Sequence, residues 1–101
     1  MIFVFTVAQV GHIDEQLVFI GDCMPSSEEF IAQIKTIKIP DLVEKYYRPM
    51  RHAMNNLLMT NSPKPRASCS LDGGKLLMVK AFKEEDCPGT RMSETQSFAK
   101  P

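Results

Sequence analysis

A chain of 101 residues, 44% hydrophobic, has room for one hydrophobic core and not two. Twelve basic and twelve acidic side chains cancel, and a pI near 6.7 argues against the domain-wide basic excess of a nucleic-acid module. Three cysteines, Cys23, Cys69 and Cys87, are odd in number and show no paired spacing, which argues against a disulfide framework and fits a reducing, cytoplasmic setting.

The neutral total hides a dipole. Residues 1–34 carry five carboxylates (Asp14, Glu15, Asp22, Glu28, Glu29) and no Lys or Arg, whereas residues 35–66 carry seven basic side chains against two acidic ones. Segregation of this kind governs association and steering rather than fold.

Ile2 to Ala8 is β-branched and aromatic on both alternating faces, the pattern of a central strand. The apolar run from Ile2 to Val10 is too short for a membrane span of roughly 18–20 residues, and no basic residue precedes it as in a signal peptide. A second run, Gln16 to Ile20, ends at Gly21-Asp22, so the two read as a hairpin joined by a polar loop, Gly11 to Glu15.

Pro25-Ser26-Ser27-Glu28-Glu29 is a helix start, with Ser26 as N-cap and Glu29 reaching back to it. Phe30, Ile31, Ile34 and Ile37 follow at helical spacing until Pro40, with Thr36 to Ile39 open to an extended alternative. Asp41-Leu42-Val43-Glu44 repeats the cap, and apolar residues at 43, 46, 47, 50, 54, 57 and 58 form one stripe at the 3.6-residue period. Pro49 inside this stripe predicts either one kinked helix over 41–60 or two halves, 42–48 and 50–60.

Asn61 to Arg66 is a loop by composition. Ala67–Leu71 and Lys75–Phe82 flank Asp72-Gly73-Gly74, a turn that tolerates positive φ, and so form a second hairpin. Residues 84–101 are polar and read as a mobile tail after a single α+β domain over 1–83. The order ββ-αα-ββ packs as a four-stranded, mainly antiparallel sheet with two helices on one face; strand order stays open.

The chemistry-bearing candidates are few. Opposite the Val43 side of the long helix lie Lys45, Arg48, His52, Asn55 and Asn56, with Glu44 and Arg51 at the edge and Lys64 and Arg66 in the following loop. Such a face fits a solvated surface, an acidic protein surface or a phosphate backbone. Tyr46, Tyr47, Met50, Met54 and Met59 are either the core side of the helix or an adaptable gripping surface, and the apolar sector is broad for one small sheet.

His12-x-Asp14, a distant His52 and three scattered cysteines form no metal-ligand pattern. Cys23, just ahead of a helix start and expected within reach of the His12 loop, is the one thiol to weigh as a nucleophile. Glu28-Glu29 is explained by capping, and Gly73-Gly74 lacks the lysine and helix of a phosphate loop. Ser62 to Arg66 has the composition of a polyproline ligand but reads first as a linker.

The sequence thus leads to the expectation of a small, cytoplasmic, non-enzymatic module without cofactor, metal or membrane contact, of the adaptor or inhibitor type found among phage and mobile-element accessory proteins. It would bind a protein through Tyr46, Tyr47, Arg48, Arg51, His52, Lys64 and Arg66. Nucleic-acid binding by the basic face is the alternative, and a homodimer stays open.

Overall fold

The computed structural model describes residues 1–38 and 42–83. Four strands, β1 (Ile2–Gln9), β2 (His12–Ile20), β3 (Arg66–Ser70) and β4 (Leu76–Phe82), make one antiparallel sheet in the order β2-β1-β4-β3. β1 is central, paired on both edges, as its two-faced apolar pattern predicts. Two helical segments follow β2: α1 (Ser27–Gln33), then a π-helical turn (Val43–Tyr47) that runs directly into α2 (Arg48–Met59). The expected α+β class and ββ-αα-ββ order hold.

The register divides β1 between two environments. Phe3, Phe5 and Val7 share one face with Leu17 and Phe19 of β2, Leu77, Val79 and Ala81 of β4, and Ala67 and Cys69 of β3. Phe30 from α1, Ile34 just past its end, Leu42 at the cap of the second helical segment, and Tyr47, Met50 and Met54 within it cover that face to form the main core. Each such apolar side chain contributes roughly 1.5–3 kcal/mol when fully buried. At the centre Phe30 stacks on Tyr47 at 4.5 Å, and Phe5 meets Phe30 at 4.9 Å and the edge of Phe19 at 5.5 Å.

The first hairpin departs from the sequence reading. No five-residue loop separates its strands; β2 starts at His12, and the reversal is made by Val10 and Gly11, with Gly11 at φ +86°. Val7 pairs with Glu15 and Ala8 with Ile13, so Asp14 is an extra residue that bulges the edge strand. Polar composition misled because one side of an edge strand faces water while its backbone is still paired.

The bulge has a use. Glu15 reaches across to accept hydrogen bonds from the Lys35 and Thr36 amides (3.0 and 2.9 Å) and the Thr36 hydroxyl (2.7 Å). These amides leave α1, whose N-terminus carries the anticipated box: Ser26 Oγ accepts from Glu29 N, and Glu29 accepts from Ser26 N. Helix α1 stops at Gln33, where Ile34 turns extended to reach the core, so the helical spacing of Ile37 does not extend it. Residues 39–41, including the Asp41 cap, and the tail 84–101 lie outside the described residues.

Pro49 neither breaks nor splits the second helix. The turn before it is widened to π geometry, with Arg48 N–H donating to the Val43 carbonyl, and Pro49 sits in the first turn of α2, where a missing N–H costs little. The C-terminus closes with Asn61 at φ +58°, Asn61 N–H on Leu58 O and Ser62 N–H on Leu57 O, a Schellman arrangement. The second hairpin turns at Asp72–Gly74, with Gly73 and Gly74 at φ +79° and +80°.

Candidate functional site

The seven residues singled out from sequence fall into separate places. Arg48, Arg51 and His52, at positions i, i+3 and i+4 of one helix, come together with Asn55 and Ser27 around a hollow of about 320 Å³. Arg48 lies 3.5 Å from Glu44 one turn earlier, in a pair open to water. Arg51 is half-buried, and its Nε is sealed from solvent without a hydrogen-bond acceptor among the described residues. A buried donor left unmet costs about 1–3 kcal/mol.

Lys64 and Arg66 belong to a second hollow, of about 670 Å³, beyond the end of α2. Leu58, Pro63, Pro65 and Phe82 give it apolar lining, and Lys80 and Lys83 from the end of β4 join the two loop cations. Arg66 and Lys80 are direct cross-strand partners, an arrangement that costs stability for like charges; neither forms an ion pair among the described residues. Lys80 and Lys83 were missed in the sequence, because only strand register brings residue 80 beside residue 66.

The two tyrosines separate by one residue. Tyr46 is half-buried and donates its hydroxyl to Asp72 Oδ1 at 2.6 Å, towards the second hairpin turn. Tyr47 is 0% exposed and donates to the Pro25 carbonyl at 2.5 Å. Burial holds its hydroxyl protonated well above the usual range, against a smaller opposing pull from Arg51. Tyr47 is therefore a core residue, and its expected place in a partner surface is corrected. Of the methionines weighed beside it, Met50 and Met54 are buried in the same core, while Met59 is 81% exposed.

Cys23 and His12 cannot meet. They lie beyond and at opposite ends of the nine-residue β2, whose eight steps span about 27 Å, and His12 pairs instead with Asp14. Cys69 faces the core from β3, and burial pushes its thiol up to about 11. Among the described residues no three His, Cys, Asp or Glu side chains converge, and no helix is long and apolar enough to cross a membrane.

Set against known proteins, the chain matches no family model, no curated protein and no solved structure.

Proposed function

We propose that this is a non-enzymatic, cytoplasmic protein-binding module that takes an acidic segment of another protein along the outer face of α2, acting as an adaptor or inhibitor. The observation that carries this reading is the hollow of Arg48, Arg51, His52 and Asn55, where two guanidinium groups, an imidazole and an amide line one opening. A carboxylate entering it is received by a guanidinium in a two-pronged geometry that a lysine cannot reproduce. From Arg48 to Thr60 the helix rises about 18 Å, so a partner on this face also reaches exposed Met59 and Lys64. That length suits a macromolecular patch of roughly 800 Å² better than a small ligand.

Nucleic acid is the second reading, favoured by the addition of Lys80 and Lys83 to Lys64 and Arg66 around one hollow. Phosphate contacts of that kind weaken steeply as salt is raised.

Affinity capture from host extract, with nuclease and with Arg48→Glu beside the unaltered chain, tests both. The protein-binding reading expects a nuclease-resistant partner whose recovery falls about tenfold or more with Arg48→Glu, a change at a water-exposed side chain, while the unfolding curve is nearly unchanged. Equal recovery by the variant would overturn it. Partners that vanish with nuclease, or with moderate salt, would transfer the surface to nucleic acid.

A further inference from the structure

The two edges of the sheet are not alike. On the outer strand β2 the extra residue Asp14 bulges the backbone, and Glu15 is held by the Lys35 and Thr36 amides, features that keep another strand from pairing there. The other edge, β3, has no bulge: its five residues pair with β4 in unbroken register and carry one charge, Arg66. Backbone bonds fix which of its groups face outward. The Pro65 carbonyl accepts from Ala81 N–H and Leu71 N–H donates to the Lys75 carbonyl, so the odd-numbered residues turn their N–H and C=O groups towards β4. Those of Arg66, Ser68 and Ser70 point away from the sheet. All three residues are exposed, and these groups meet no hydrogen-bond partner among the described residues.

A helix flank runs beside this edge. α2 packs on β3 and leads into it through residues 60–65, and the Tyr46 hydroxyl bond to Asp72 ties the start of the helical segment to the far end of the strand, so helix and strand lie antiparallel. Tyr46, Ala53 and Leu57 recur at helical spacing on that flank, whereas Arg48, Arg51 and Asn55 lie on the opposite one, beside Ser27 of α1. Ala53 is exposed, and Tyr46, Leu57, Ala67 and Cys69 are only partly buried against the main core. An open backbone edge thus adjoins an uncharged, partly apolar helix flank.

We propose that β3 pairs with β3 of a second copy of this chain, antiparallel about a two-fold axis at Ser68, joining two four-stranded sheets into one and setting the two α2 flanks face to face across the axis. In that register Ser68 meets its own counterpart and Arg66 meets Ser70, each pair exchanging N–H and C=O groups, while Ala67 opposes Cys69 on the helix side. The strand is complementary to itself: its one charge falls opposite a serine rather than another cation, and its other side chains are all small. Ala53, with a single methyl group, leaves room for the flanks to approach. The Arg48 hollow stays on the outer side of both copies, so the pairing stands or falls apart from what that hollow binds.

The full chain, followed over a concentration series by sedimentation equilibrium and amide hydrogen exchange, tests this. The mass is expected to rise from 11.4 kDa to twice that value. Over the same range the amides of Arg66, Ser68 and Ser70 gain protection, while those of Ala67 and Cys69, bonded to β4, are protected throughout. Ser68→Pro removes an outward N–H without touching the bonds between β3 and β4, and is expected to weaken association about tenfold or more, since both copies lose a bond. Ser70→Glu, set against Arg66 of the second copy, is expected to strengthen it about twofold or more. A single-chain mass up to the millimolar range overturns the proposal and leaves the edge to an extended segment of another protein; protection of the three amides within a single chain overturns it too. A dimer in which those amides exchange freely, or whose association neither substitution changes, forms through another surface and overturns it as well.

Discussion

Phe3, Phe5 and Val7 project from β1 into rings and methionines carried by α1 and α2, whereas Ile2 and Val4, one residue out of step on the same strand, meet aliphatic neighbours of the sheet and Phe82. The helix-covered face is closed by four aromatic rings from distant parts of the chain, Phe5, Phe19, Phe30 and Tyr47, whose five close pairs have centroids 4.5–6.4 Å apart. The opposite face is small, β-branched and edged by Lys80 and Arg66. One strand therefore serves two purposes: its aromatic side fixes how the helices dock, and its aliphatic side ties β1 to its neighbours β2 and β4.

Truncation separates the faces most sharply. Phe30→Ala removes a ring that stacks on Tyr47 and touches Phe5 and Phe19, and is expected to cost about 3–5 kcal/mol. Val18→Ala on the other face deletes two methyl groups and is expected to cost about 1–2 kcal/mol. Denaturant midpoints at constant slope give both values. Equal losses would erase the distinction and make the aliphatic cluster part of a single continuous core.

A smaller effect sharpens the boundary within the helix-covered face itself. Tyr47→Phe keeps the ring but leaves the Pro25 carbonyl without its buried donor, for an expected loss of about 1–3 kcal/mol. Tyr46→Phe, whose hydroxyl meets Asp72 near solvent, is expected to cost about 1 kcal/mol or less. The reverse ranking would move the core boundary by one residue along the helix.

Much of this was legible without coordinates. The Ser26–Glu29 box, the Asp72–Gly74 turn and the central position of β1 follow from local chemistry, because each is a short-range demand of the backbone or of alternating burial. The first hairpin was misjudged where Asp14 and Glu15 looked like loop residues; their pairing depends on Lys35, Thr36 and Lys75, far away in sequence. The candidate site was half legible. The helical period places Arg48, Arg51 and His52 together, but the same period does not say that the π turn buries Tyr47 completely while Tyr46 keeps contact with the surface. Nor does it bring Lys80 beside Arg66, which only the strand register supplies.

The smallest expected effect concerns the rim of the helix-covered face, at Cys69 on β3. Its thiol is partly sheltered against the main core, and that burial moves it from the ordinary 9.0 to about 11. Above pH 9 the unfolded chain releases this proton while the folded chain holds it, so the folded state binds more protons and stability falls with rising pH. The contribution is fully present below pH 9 and is lost as the pH climbs to about 11. The buried Tyr47 hydroxyl, also held protonated, adds a second loss that begins near its ordinary value of 10.0. Denaturant midpoints measured across this range are expected to decline for the unaltered chain. Cys69→Ala should flatten the part that begins near 9, and Tyr47→Phe the part that begins near 10. Because the thiol is only half-buried, its share is the lesser of the two. A decline unchanged by Cys69→Ala would place that thiol in water and shift the edge of the covered face inward from β3 to Leu77 and Val79 of β4.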